Sequence, residues 1–389
     1  MRLRAEVTKL LLKRIAPRVD VKVVLPNGDV LGPNKPNLPT LRILNDDFFN
    51  RLGNDLKIGL GESFMAGDWV AEPDLAGVLT PYAEKLLHIV PAWMRKFRKF
   101  FEPFHPKHEE NHLEGSKSNI SRHYDLSNEL FALFLDETLT YSAANFGSDE
   151  AIFNNLAKAQ IRKIEGILDF AGVKPGMHIL EIGTGWGQLA MQAAYRGAKV
   201  HTITLSKEQK ALAEARIAKA GLSNLITVEL RDYRDLEGQY DAVVSVEMIE
   251  AVGEKYWPTY FEAISKHLKP GGRFGLQAIT MPHDRLLASK HAYTWIHKYI
   301  FPGGIIPSRE VIDQYTKSEL KLVDSLSIRM GYAETLRLWR EKFMENKEKV
   351  LALGFDDEFL KMWQYYLAYS EAGFRAEHLD VWQLGFIKK

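Results

Sequence analysis

The 389-residue chain contains no cysteine. That absence excludes disulfides, thiolate metal sites and cysteine nucleophiles, and it is compatible with a reducing compartment without proving one. No run of about 18 apolar residues occurs, so no transmembrane helix is expected. The basic start, Met1 to Ile15, has a short and interrupted apolar stretch with no small-residue cleavage site, so no secretory leader is expected and the chain reads as cytoplasmic. Net charge is nearly absent as well: 51 Lys and Arg against 50 Asp and Glu leave +1. A global nucleic-acid footprint is thereby disfavoured, though local basic patches stay open. There is no internal repeat and no low-complexity tract.

What is present is the composition of an ordinary globular protein, 46% hydrophobic and 26% charged, in a chain too long for one average domain. Three regions separate. Residues 1–101 are mixed and helix-leaning, and end in the basic-aromatic run Trp93 to Phe101. Residues 102–117, rich in charge, proline and histidine, read as a linker. Residues 118–389 form one larger unit in which strands and helices alternate. Its strand candidates are 177–182, 200–205, 225–230, 242–246 and 273–279, with 320–328 and 379–387 as late additions. Helical patterns at 188–196, 207–220 and 255–268 lie between them, the last stopped by Pro270-Gly-Gly272. Strands separated by such helices imply right-handed crossovers and a parallel sheet covered on both faces. The expected fold is α/β, a doubly wound, seven-stranded and mostly parallel sheet, with the late strands completing it antiparallel.

Glu181-Ile-Gly183-Thr184-Gly185-Trp186-Gly187 follows the first of these strands and opens a helix. Glycines let a backbone turn tightly and approach a ligand, and this loop falls at the carboxyl end of a strand near the topological switch point. A dinucleotide site would show Gly-x-Gly-x-x-Gly and an acid after the second strand. Here Gln188 stands where the third glycine should be, and the second strand ends Thr204-Leu205-Ser206. The acid instead precedes the loop, as Glu181. The pattern resembles the first motif of class I S-adenosylmethionine methyltransferases, with a dinucleotide enzyme or a degenerate fold as the alternative.

Four further segments resemble the cyclopropane fatty acid synthase family, which includes the mycolic acid methyltransferases: His123-Tyr124-Asp-Leu-Ser-Asn128, Thr138-Leu-Thr-Tyr141-Ser142, Thr204-Leu205-Ser206-Lys-Glu-Gln209, and Trp295 to Gly304. The resemblance implies that S-adenosylmethionine is held by Tyr141, Ser142, the loop Glu181 to Gly187, Thr204 to Gln209, and Asp232-Tyr233-Arg234. Tyr124 or Tyr141 could also face the sulfonium cation, whereas Tyr124 could equally be core and Asp232 a turn residue. It further implies methyl transfer to the double bond of an unsaturated acyl chain, a homodimer, and bicarbonate as a bound base. Residue by residue, the bicarbonate cradle maps to Ala143, Glu250, Gln277, Ile279 and Tyr332.

Two of these positions depart from the family pattern. Ala143 stands where the family has cysteine, and Gln277 where it has histidine; Ser370 matches a second family cysteine. Any thiol-based mechanism therefore fails. Gln277 donates a hydrogen bond but cannot relay a proton as histidine can. The product is left open between a cyclopropane and a methyl- or methylene-branched chain, and Glu250 is a candidate base. A non-catalytic lipid-binding relative and a methyltransferase acting on a small molecule or RNA are the other function classes.

A soluble enzyme reaches a bilayer chain only by docking. Leucines alternating with Arg2, Arg4, Lys9, Lys13 and Arg14 suit an interfacial helix at the inner face of the membrane. The run Trp93 to Phe101 suits docking, a solvated face, or RNA contact. His105, His108 and His112 match no common metal-ligand spacing, so no metal is expected.

Overall fold

The computed structural model describes residues 2–89 and 127–389. The basic-aromatic run, the linker with its three histidines, and Tyr124 lie outside the described residues. The chain divides into two compact units that are discontinuous in sequence. Among described residues the first comprises 2–89, 291–302 and 339–378, and the second 127–290, 303–338 and 379–389. The division expected from sequence, with everything after residue 117 in one unit, gives no hint that two later segments join the N-terminal region.

The first unit carries a small sheet ordered β2-β1-β3-β4, formed by Lys22–Val24, Val30–Leu31, Thr40–Ile43 and Trp69–Glu72. Strands of two to four residues are marginal alone, so helices cover them. Phe48, Phe49 and Trp69 are almost wholly buried there. Helix Asp357–Arg375 supplies Trp363, Tyr365 and Tyr366. The Tyr365 ring lies 4.7 Å from Trp295 and 5.7 Å from Phe64. Gly61 is required at that contact, because a Cβ there would come within 2.5 Å of the Trp295 indole.

The second unit contains the sheet read from the sequence. Its order is β10-β11-β9-β8-β5-β6-β7, with β5 His178–Ile182, β6 Lys199–Thr204, β7 Ile226–Leu230 and β8 Tyr240–Val246. The remaining strands are β9 Leu268–Thr280, β10 Leu320–Ser327 and β11 Asp380–Lys388. β5 to β9 are mutually parallel, while β11 pairs antiparallel with both β9 and β10. Apolar residues successive along β5 serve opposite faces: Ile179 joins the core with Ile167, Ala190 and Ile217, and Leu180 the core with Tyr260, Ile264 and Phe274. Burial on both faces explains why these strands read as continuous apolar runs.

One boundary differs from expectation. Pro270-Gly271-Gly272 does not separate helix from strand; β9 begins at Leu268 and runs through it. The ladder to β8 shifts register between Tyr240 and Ala242 to absorb the irregularity. Because the chain leaves β5 towards β6 and later returns to β8 on the other side, the carboxyl ends of β5 and β8 flank the crevice where such sheets bind ligands.

Candidate active site

The loop after β5 makes the crevice. Gly183, Gly185 and Gly187 all have positive φ, at 100°, 51° and 87°, a region that costs side-chain-bearing residues roughly 1–2 kcal/mol. The three do different things. A Cβ on Gly183 would strike Met248 Cγ at 2.8 Å, and one on Gly187 would press Ala213 Cβ at 3.2 Å. One on Gly185 would meet no protein atom within 4 Å, and Gly185 lines the cleft. Its bare backbone is therefore the part of the loop that a ligand can approach.

Most of the residues implied for the cofactor share this cleft. Tyr141, Ser142 and Glu181 line one part, with Gly183, Thr184 and Trp186 from the loop. Thr204, Leu205 and Gln209 come from the end of β6, and Asp232, Tyr233 and Arg234 from the turn after β7. Gly187 and Ser206 stand outside its wall. Gly187 is the N-cap of helix Gln188–Tyr195, and Ser206 caps helix Lys207–Lys219 by accepting from the Gln209 N–H at 3.2 Å, so its oxygen is committed to the helix. Thr204 Oγ1 donates to Gln209 Oε1 at 2.9 Å. The Asp232 carboxylate holds Arg234 at 2.7 and 2.8 Å and caps the turn. The Tyr141 ring packs edge-on against Phe131 at 5.1 Å, and Trp186 Nε1 donates to Asn128 Oδ1 at 2.7 Å.

Glu181 is 2% exposed, and its Oε2 is buried without a partner. Burial raises its pKa to about 8, against the opposing pull of a hydrogen bond from Thr202 and the charge of Lys163. A buried acceptor at the edge of a cleft suits a cationic ligand. Lys163 itself, on helix Phe153–Phe170, is 1% exposed and donates to Ser142 Oγ at 2.5 Å. Desolvation lowers its pKa to about 8, while Glu247, Asp136 and Glu181 pull it back up. Nothing in the sequence distinguishes Lys163 from the exposed lysines of an amphipathic helix.

The five positions implied for an anion cradle fall into two adjoining sets. Gln277, wholly buried on β9, donates through Nε2 to Glu247 Oε1 at 2.8 Å. The Ala143 N–H donates to the same oxygen at 3.0 Å, and the Tyr332 hydroxyl also bonds Glu247. The Ile279 N–H donates instead to Glu250 Oε1 at 2.5 Å. Glu250 Oε2 is buried without a partner, and burial plus the charge of Glu247 raise its pKa to about 8.

Glu247 is the residue that sequence reasoning missed. It sits in the same Ser245-Val-Glu-Met-Ile-Glu250 segment as Glu250, directly after β8, and lines the cleft. Its φ of 50° is left-handed, at a cost of about 1–2 kcal/mol. Three hydrogen bonds to a carboxylate, each contributing about 1.5–3 kcal/mol, offset that strain. Burial raises its pKa, opposed by Lys163, Ala143, Gln277 and Tyr332. Two acids three residues apart after a strand end were the available signal; which of them meets the donors of Ala143, Gln277 and Tyr332 depends on the backbone.

The sequence pattern of the family described as mycolic acid cyclopropane synthetase matches residues 111–384. The tuberculostearic acid methyltransferase UfaA1 of Mycobacterium tuberculosis is 48% identical, over 99% of this chain and 92% of its own length. The cyclopropane-fatty-acyl-phospholipid synthase of Escherichia coli K12 is 34% identical, over 89% and 87%. The crystal structure of the mycolic acid cyclopropane synthase CmaA1 complexed with SAH and CTAB superposes with a TM-score of 0.64 at 29% identity, covering 70% of this chain and 98% of that one. The glycine turn, the lone acceptor of Glu181 and the cleft between β5 and β8 thus occur in a chain that belongs to the mycolic acid cyclopropane synthetase family, the S-adenosylmethionine-dependent methyltransferases that act on lipid double bonds.

Proposed function

We propose that the protein transfers a methyl group to a double bond of an unsaturated fatty acyl chain carried by a membrane phospholipid, giving a cyclopropane or a methyl- or methylene-branched chain. The observation that carries this reading is the pair of buried carboxylates, Glu247 and Glu250, beside the cofactor cleft. Methylation of an amine or hydroxyl needs only the removal of a proton from a heteroatom, which water can accept. Methylation of an olefin leaves positive charge on carbon and calls for an anion in a water-poor site.

S-adenosylmethionine supplies an electrophilic methyl group. Gly185 and Glu181 would hold its amino-acid part, and Thr204, Gln209 and Asp232 its nucleoside. Ala143, Gln277 and Tyr332 orient the carboxylate that faces the reacting carbon, and Ile279 orients Glu250. The phospholipid reading is supported by the helix Arg2–Ile15, which exposes Val7 and Leu10 beside Arg4, Lys13 and Arg14. Apolar and cationic side chains on one exposed face suit an anionic lipid surface. No helix among the described residues is long and apolar enough to cross a membrane.

The test is expression in a bacterium whose membrane holds monounsaturated chains and no enzyme of this kind, followed by mass spectrometry of its fatty acids. A gain of one methylene unit in the unsaturated chains is expected, and fragmentation assigns ring or branch. Unaltered lipids in cells containing folded protein would sink the proposal.

A further inference from the structure

We infer that the Glu247 carboxylate occupies the small-anion seat that the resemblance assigns to bicarbonate, so that the chain carries its own base, a role that rests on the olefin-methylation reading for its chemistry but not for the occupancy of the seat.

A seat for a small anion is a convergence of hydrogen-bond donors. The donors here are the Ala143 N–H, Gln277 Nε2 and the Tyr332 hydroxyl, and all three are directed at Glu247. Two of them meet on one oxygen, Oε1. The amide of Gln277 cannot be turned to serve another partner. The backbone carbonyl of Lys163 only accepts, so the Gln383 side chain presents Nε2 to it at 2.8 Å, and the same Nε2 donates to Gln277 Oε1 at 3.0 Å. The remaining end of Gln277, its NH₂, therefore faces Glu247. Charge is arranged to match. The Lys163 ammonium, from helix Phe153–Phe170, supplies the positive charge that acts on Glu247. A bicarbonate on these donors would have to displace the Glu247 carboxylate that already takes all three. The residues present do not fit it.

The chemistry balances without a further reagent. The new carbon–carbon bond takes the π pair of the olefin as the methyl–sulfur bond of S-adenosylmethionine breaks, its electron pair leaving with sulfur as neutral S-adenosylhomocysteine, and a positive charge is left on the adjacent carbon. One C–H proton then passes to Glu247, and its bonding pair stays on carbon to close a ring or form a double bond. The protonated Glu247 returns its proton to solvent.

Glu247→Gly empties the seat and relieves the left-handed backbone; Glu247→Gln fills it with a group that is not basic. In carbonate-free buffer, the wild type is expected to methylate lipid at its full rate, and added bicarbonate changes nothing. Both variants lose about 10²–10⁴-fold, and bicarbonate restores Glu247→Gly only. A second readout needs no turnover: the ¹³C resonance of labelled bicarbonate broadens with Glu247→Gly and not with the wild type or Glu247→Gln. Broadening by the wild type, a bicarbonate requirement of the wild type, or an undiminished rate for Glu247→Gly in carbonate-free buffer would each overturn the assignment. A wild type that methylates no lipid refutes the proposed reaction, and the resonance experiment still decides the seat.

Discussion

Gln277 and Glu247 are joined by a 2.8 Å hydrogen bond whose direction is dictated two residues away: Gln383 holds the amide oxygen of Gln277, so only its NH₂ can face the carboxylate. The relay begins at a backbone carbonyl, that of Lys163, which cannot donate. Gln277 and Gln383 are direct cross-strand partners on β9 and β11, which keeps the amide groups in register. Where the family resemblance implies histidine, this chain builds a fixed, non-titrating donor.

Gln383→Leu removes the first donor of that relay. The buried Gln277 amide oxygen loses its donor, a loss of about 1–3 kcal/mol. Urea unfolding should report that loss, and kinetics should show kcat falling while the affinity for S-adenosylmethionine holds. A kcat equal to wild type would show that the orientation of Gln277 is immaterial.

Lys163→Met deletes the ammonium that faces Glu247, Asp136 and Glu181. Leaving buried carboxylates without their counter-charge typically costs about 3–5 kcal/mol. The expected outcome is a lower urea midpoint with unchanged m-value, recovered in part at acid pH, where the carboxylates take up protons.

Stability of the cofactor-free protein should pass through a trough near pH 8. Burial holds the pKa of Glu181 and of Glu250 near 8 in the fold, above an ordinary value of 4.5. The native state therefore keeps protons that the unfolded chain has released, and stability falls as pH rises from about 5 to 8. Lys163 acts in the other direction, lowered to about 8 from 10.5. The unfolded chain holds that proton longer, so stability rises again between about 8 and 10. Chemical denaturation from pH 5 to 10 checks the shape; a monotonic rise through pH 8 would contradict it.

Gly185→Ala and Gly187→Ala should separate binding from folding. Each places a side chain at positive φ, at about 1–2 kcal/mol. The Gly185 methyl group enters open cleft and is expected to weaken S-adenosylmethionine binding by about tenfold or more, roughly 1.4 kcal/mol. The Gly187 methyl group presses on Ala213 and Ile217, so its larger effect falls on thermal stability. Calorimetric titration and thermal melts of both variants distinguish the two.

Reversing Lys13 and Arg14 to Glu should weaken binding to anionic vesicles by about 1 kcal/mol or more per residue. The same measurement on zwitterionic vesicles should change little. Equal affinity of variant and wild type for anionic vesicles would remove helix Arg2–Ile15 from the docking surface.

Much of the fold is legible in the amino-acid order. The five parallel strands of the large sheet and the glycine turn follow from apolar runs punctuated by helices, because a parallel sheet buried on both faces must be written as continuous hydrophobic sequence; the two antiparallel strands, of which β10 is largely exposed, are legible only as late additions. The loops after β5, β6 and β7 are legible as well, since strand ends place the loops that follow them, whereas Tyr141 and Ser142 are implied by the family resemblance alone. What the linear order could not contain was decided by packing. Segments 291–302 and 339–378 carry no local sign that they belong with the N-terminal region. Lys163 looks like any exposed helix lysine until the sheet covers it. Glu247 and Glu250 are equivalent as letters, and only the left-handed turn after β8, together with donors from positions 143, 277 and 332, selects Glu247 for the anion seat. The reason is physical: periodicity encodes which face of an element is buried, whereas the partner of a buried charge is set by contacts between residues far apart in the chain.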